Sequence, residues 1–289
     1  MRRRWWPPAI GLAYIAVIYV LGGLHGGHVL IGLLGLLDAY NENTRLFLRT
    51  FLPCIVTGAI YDSLRYTLAQ GTAGRIHVAG PYLLDRAWFG LGGHTLNEVF
   101  QVHHGAIADL AAGFAYLIYV AEYLALAMLE FFTGRVTRAL TFARSFFAVS
   151  VLGFVTYFVY PAAPPWYVAA HGFGPAQMQS APASGAASRF DALLGTHLFQ
   201  NVYSQSVEVF GAIPSLHVAY PLMAAVLAFR TAELRWARWP AAAYVVLMCF
   251  SAVYLQHHYV IDVLIGLAYA AIVVNAMLAW ERRRAVSVA

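Results

Sequence analysis

The sequence contains no lysine, so its formal charge of +5 comes entirely from arginine. Charged residues make up only 11% of the chain against 61% hydrophobic ones, and the mean hydropathy is +0.65. Soluble domains carry about a quarter charged residues, so this balance places the chain in the membrane class. The arginines stand at the ends of apolar runs and not in basic clusters with interleaved aromatics, which excludes a nucleic-acid-binding face. Cysteine is scarce: Cys54 and Cys249 both fall inside apolar stretches, so neither a disulfide framework nor a zinc site is expected. No GxSxG elbow of the acyl-transfer kind occurs near the polar residues singled out below.

What the chain has in quantity is long apolar runs. MRRRWWPP and the stretch 8–24 have the charged and hydrophobic regions of a signal peptide. Only GGLHGGH follows, with no A-x-A-like cleavage site, so an uncleaved first span is expected. The stretch 26–40 falls short of the ~20 residues needed to cross and reads as a re-entrant or interfacial piece. Further spans are expected at 45–66, 110–132, a run ending at Tyr160, then 214–229, 239–256 and 259–280. The fold class is an all-α polytopic membrane protein forming a single membrane domain over 1–289. Residues 1–44 are its N-terminal part and 45–281 its helical core.

Two long connections interrupt the spans, at 67–108 and 162–210. Glycine and proline break helix in the first, yet Leu83, Trp88, Phe89 and Leu96 are too apolar for a free loop. A structured cap against the membrane is expected, with Tyr82 and Trp88 at the interface. His103 and His104 have no carboxylate or cysteine at ligand spacing and are assigned to solvated surface. The second connection opens on YPAAPPWY, whose prolines cannot continue a helix. Its centre, 172–188, reads as flexible: either a lid or a connection with no role. Asp62 and Arg65 lie i, i+3 on one helical face, as an ordinary ion pair or as a substrate contact. Glu122 and Glu130 interrupt 110–132, so that span is expected to turn them toward other helices.

The chemistry gathers between Gly211 and Gly266. His258 and Asp262 stand at i and i+4, so on a helix the carboxylate would hold one imidazole nitrogen. That fixes the tautomer and leaves the other nitrogen bare, as a nucleophile or general base requires. A second imidazole, His217, follows Pro214 and Ser215. Proline favours the first helical position, and the free N–H groups of a helix start make an anion site. Two histidines and a carboxylate beside such a start suit phosphoryl transfer. A lone histidine in an apolar run is usually a hydrogen-bonded core residue, but three ionisable groups at apolar helix boundaries are costly and mark a functional site. His257 points off the face of His258 if helical and reads as a support.

IPSLH, and the run Ser251, Ala252, five residues, His258, three residues, Asp262, resemble the second and third motifs of the type 2 phosphatidic acid phosphatase superfamily. HHY, YPAAPPWY and PYLLDRAWFG are most similar to its inositol phosphorylceramide synthase branch and the bacterial relatives of that branch. The resemblance implies a six-helix phosphatidic-acid-phosphatase-like core with extra N-terminal helix or helices. It implies His258 as a nucleophile carrying a phosphohistidine, Asp262 as its orienter, His217 as the acid, and Ser215 as a phosphate contact. It also implies membrane lipids as donor and acceptor, and Asp85 as a contact for a sugar or inositol hydroxyl. The family pattern has arginine where Ala252 stands and a lysine in its first motif, so another arginine must neutralise the phosphate. Arg65 is the first candidate, with Arg75 and Arg86 behind it. Arginines and helix N–H groups can supply the positive charge of a metal, and neither metal nor cofactor is expected.

Arginines 135, 138, 230, 235, 238 and 282–284 fall on the face opposite the histidines, so the positive-inside rule puts the chemistry on the extracytoplasmic side. Seven spans would leave Arg2 to Arg4 outside against that rule; six or eight restore it. Transfer to a lipid hydroxyl is the leading expectation and hydrolysis to water the enzymatic rival. A proton-coupled transporter or channel is the rival from another class. Against the latter, the polar groups sit at one membrane face and no inverted repeat is evident.

Overall fold

The computed structural model describes residues 6–20, 41–72, 74–207 and 209–288, together with residues 29 and 33. The expected piece at 26–40 and Arg2 to Arg4 lie outside the described residues, apart from those two positions. All named elements are helical: α1 (Trp6–Val20), α2 (Glu42–Thr72), α3 (Ala79–Phe89), α4 (Leu96–Val102), α5 (Ala106–Phe132), α6 (Val136–Val159), α7 (Pro165–His171), α8 (Ser188–Leu194), α9 (Leu198–Ser204), α10 (Leu216–Arg230), α11 (Arg238–Tyr254) and α12 (Val260–Val288). No strand occurs among the described residues. The all-α expectation and the helical core stand.

Among the described residues, three helices are long and apolar enough to cross a membrane: α5, α6 and α12 over Val260–Arg284. At 1.5 Å per residue, the 27 residues of α5 reach about 40 Å, more than the ~30 Å hydrocarbon core. Helices α10 and α11 are apolar but shorter. Helix α2 is the longest at 31 residues and carries Arg45, Arg49, Asp62 and Arg65 along its length.

The short helix α10 is central, packing against α5, α6, α11 and α12, while α2 lies along α6. Its residues Leu216, Val218, Ala219, Tyr220, Met223 and Ala224 are buried, which suits a helix apolar on all sides. Close approach of α12 sets its start. A Cβ at Gly266 would collide with the carbonyl of Ser215, and the Ser215 N–H donates to the Asp262 carbonyl at 3.1 Å.

Helix boundaries depart from expectation where it matters most. Leu216, not Pro214, is the first helical residue of α10, and Ser215 is its extended N-cap. Helix α12 begins at Val260, so His258 precedes the helix that carries Asp262. Both connections are structured. The first holds α3 and α4; Thr95 caps α4 with a reciprocal bond pair to Glu98, as a T-x-x-E sequence allows. The second holds α7, α8 and α9 and is tied to the α11–α12 turn by Trp166 N–H to the Gln256 carbonyl and Ala186 N–H to the Leu255 carbonyl.

Candidate active site

The turn between α11 and α12 carries the two adjacent histidines, and its shape is set by Gln256, which adopts φ 68°. For a residue with a Cβ that conformation costs roughly 1–2 kcal/mol. Neighbours hold it: Gln256 Nε2 donates to the Asn97 carbonyl at 2.6 Å, and Asn97 Nδ2 donates to the carbonyls of Val253 and His258 at 2.8 and 3.0 Å. Helix α4 thereby fixes the backbone of His258 from the first connection.

His258 is buried, and its Nδ1 lies 2.8 Å from the Ala212 carbonyl. A carbonyl only accepts, so Nδ1 carries the hydrogen and Nε2 has the lone pair. That Nε2 faces His217 Nδ1 at 3.1 Å. Two imidazoles, one from α10 and one from the α11–α12 turn, 41 residues apart in sequence, therefore meet nitrogen to nitrogen. So short a separation leaves no room for a phosphorus atom between them, and a bound phosphate must part the pair.

The role expected of Asp262 is divided. Its Oδ2 lies 3.8 Å from His258 Nδ1, beyond hydrogen-bond reach, and accepts instead from the Tyr259 N–H at 2.8 Å, capping α12. The backbone carbonyl of Ala212 orients the imidazole, and Asp262 adds negative charge beside it. The i, i+4 helical geometry expected of the pair is absent because the helix starts two residues after His258.

The histidines line a cavity of about 470 Å³ that runs down to Cys54, Thr57 and Gly58 of α2. Tyrosines 61, 116, 119, 157, 203 and 220 supply much of its wall. His217 packs on Tyr116 and Tyr119, with ring centroids 4.1 and 4.3 Å away. His257 lies parallel to Tyr203 at 4.5 Å and near Tyr116 at 5.1 Å. His257 Nε2 donates to the Ser184 carbonyl at 3.1 Å, which ties the stretch expected to be flexible to the α11–α12 turn. Burial, aided by the neighbouring His258 imidazole, pushes the His257 imidazole down to about 3, so it stays neutral.

The other expected contacts are not gathered here. No arginine is among the described residues that line the cavity. Arg65 is held on α2 by the Asp62 carboxylate and carbonyl, Arg75 bonds the Gly71 carbonyl, and Arg86 lies over the Tyr82 ring at 5.6 Å. Asp85 is fully buried and accepts from the Ile261 N–H at 3.0 Å, so it caps α12 and lines no part of the cavity. Burial raises its carboxyl to about 6, with Asp262 adding to the rise. Ser215 is also fully buried, and its Oγ has no partner among the described residues. No cluster of three or more metal-ligating side chains occurs among them either.

Sequence reasoning missed Tyr116, Tyr119 and Asn97. The tyrosines carried a signal, an i, i+3 pair on one face of a spanning helix. The contacts of Asn97 span 156 and 161 residues and had none.

The PAP2 superfamily model matches residues 82–276. Phosphoinositol dihydroceramide synthase of Bacteroides thetaiotaomicron is 35% identical over 256 residues, covering 86% of this chain and 82% of the relative. The catalytic subunit of inositol phosphorylceramide synthase from Schizosaccharomyces pombe is 30% identical over 63% of this chain. Inositol phosphorylceramide synthase of Candida albicans is 31% identical over 61%. The chain spans 43% and 37% of those two fungal proteins. No solved structure matches the chain significantly. With its three long apolar helices, the chain is an integral membrane protein.

Proposed function

The chain belongs to the PAP2 superfamily, and from that membership we propose that it is a membrane phosphotransferase moving a phosphoinositol-type headgroup from a phospholipid to the hydroxyl of a lipid acceptor. The observation that carries the reading is the His217–His258 contact of 3.1 Å at one end of a cavity bounded by membrane helices. His258 Nε2, with its lone pair free, attacks phosphorus as the bond to the diacylglycerol oxygen breaks. His217 gives that oxygen its proton, help worth ~10²–10⁴-fold. Inositol phosphate is then held on His258. The Nδ1–H that donates to Ala212 gains positive charge as the N–P bond forms, and the Asp262 carboxylate 3.8 Å away stabilises it. In the second half, His217 takes the proton of the acceptor hydroxyl, whose oxygen displaces the nitrogen from phosphorus.

Several features support a hydroxyl-bearing headgroup. Among the described residues, the cavity wall offers tyrosine, serine and threonine hydroxyls and neutral His257 but no carboxylate or guanidinium. A cyclic polyol can both donate to and accept from such a wall. Charge on the phosphate is met by the His217 imidazolium and the first-turn N–H groups of α10. The arginine distribution supports an extracytoplasmic site, with Arg135, Arg138, Arg230 and Arg238 at the far ends of α5, α6, α10 and α11.

The test is purified protein given inositol-labelled phosphatidylinositol with and without ceramide. A labelled ceramide product with release of diacylglycerol is expected. Inositol phosphate released at the same rate in both reactions, with no new lipid, would make the protein a phosphodiesterase acting toward water.

A further inference from the structure

His217 lacks the support that usually accompanies an acid–base histidine. Its hydrogen bond runs to His258, and no carboxylate pairs with it among the described residues. Neither His258 nor the neutral His257 offers it a negative partner. Asp262 approaches only His258. Yet the proposed reaction needs His217 to carry a proton beside two other imidazoles.

What does surround His217 is aromatic. Tyr116 and Tyr119 come from α5, one helical turn apart. The Tyr116 ring lies nearly parallel to the imidazole, 17° between planes at 4.1 Å, and the Tyr119 ring is tilted by 36° at 4.3 Å. Both are within the ~6 Å at which a cation over a ring face is attracted by its quadrupole. Tyr119 also stacks on Tyr220 of α10 at 5.9 Å, and Tyr116 on His257, so neither ring is free to turn away. The Tyr116 hydroxyl interacts with the Tyr203 hydroxyl, and the ring face is what meets the imidazole.

We propose that Tyr116 and Tyr119 are positioning residues for His217, their ring faces holding the imidazole against His258 and stabilising its protonated form in place of a carboxylate. The inference rests on the phosphoryl-transfer reading. It predicts dependence on the leaving group, because proton donation matters for a glyceryl alkoxide and little for a good leaving group such as 4-nitrophenolate. Two donors separate the cases: phosphatidylinositol, and inositol phosphate esterified to 4-nitrophenol.

Tyr116→Leu is expected to lower kcat on phosphatidylinositol roughly 10- to 30-fold with KM little moved. Release of nitrophenolate should fall by less than about threefold. Tyr116→Phe, which keeps the face and drops the hydroxyl, should rescue most of the loss. Equal losses on both donors, no loss on either, or a Phe variant as slow as Leu would overturn the proposal. Should Tyr116→Leu not fold, Tyr119→Leu is read by the same ratio of rates. If wild-type protein releases neither diacylglycerol nor nitrophenolate, the phosphoryl-transfer reading itself is overturned, and the inference falls with it.

Discussion

The two ends of the helix bundle treat buried polarity in opposite ways. Away from the cavity, Glu130 is fully buried and its carboxylate accepts twice from Arg135, at 2.7 and 3.0 Å. Arg138 joins Glu130 to Glu233, and Thr141 donates to Glu281. At the cavity end, Ser215 Oγ, Asp262 Oδ1 and Asp85 Oδ2 have no partner among the described residues. Leaving a buried polar atom unpaired costs ~1–3 kcal/mol. One end uses charge to hold a turn together and completes each pair. The other keeps acceptors, donors and a nitrogen lone pair in reserve, as the proposed transfer of a polyol phosphate would require.

If that contrast is right, substitutions at the two ends fail differently. The largest effect belongs to His258→Ala, expected to lower the rate of lipid product formation ~10⁴-fold or more. His217→Ala should follow at ~10²–10⁴-fold. Thermal unfolding in detergent should stay within about 2 °C of wild type for both. Asn97→Ala removes the two bonds that seat the α11–α12 turn, and kcat should drop ~10- to 100-fold through misplacement of His258. A rate equal to wild type would show that the turn is held without it.

The opposite end should lose stability and keep its chemistry. Arg135→Ala removes both hydrogen bonds to the buried Glu130 carboxylate and leaves it only Arg138, 3.6 Å away. The Tm should fall by roughly 5–10 °C, with kcat/KM of the folded protein within about twofold of wild type. A large loss of kcat at unchanged Tm would erase the distinction between the ends.

The smallest effect tests Asp85. Its folded carboxyl sits near 6, above the 3.8 of the free side chain, chiefly through burial. Between those values the folded state holds a proton that the unfolded state has released. Stability from this group is therefore present at about pH 4 and below and is lost as pH rises through 6. Asp85→Asn keeps an acceptor for Ile261 without that penalty. The Tm of the variant relative to wild type should thus rise from pH 4 to pH 7 and level off above. A difference that shrinks with pH would contradict the cap as described.

The residues proposed to carry chemistry were legible in sequence; their partners often were not. His217, His258 and Asp262 stand out because ionisable groups at the ends of apolar runs need a reason to be there. The carbonyl that orients His258 belongs to an alanine, and no residue letter marks a backbone acceptor. The family resemblance implied a substrate contact for Asp85, yet its hydrogen bond crosses 176 residues to cap α12. The spans were visible as apolar runs, but the start of α12 moved by only a residue or so and took His258 off the helix, because Asp262 caps the turn that precedes it. An arginine near the phosphate was expected because the family motifs carry an arginine and a lysine that this chain lacks. No arginine is among the described residues that line the cavity, and which side chains line it depends on packing in three dimensions.

The central claim is a covalent headgroup on His258. Wild-type protein given inositol-labelled phosphatidylinositol without acceptor, quenched within one turnover and digested, should carry acid-labile, alkali-stable label on the peptide containing His258, and adding ceramide should clear it into lipid. Label on another residue, or label that persists undiminished in His258→Ala, would contradict the account.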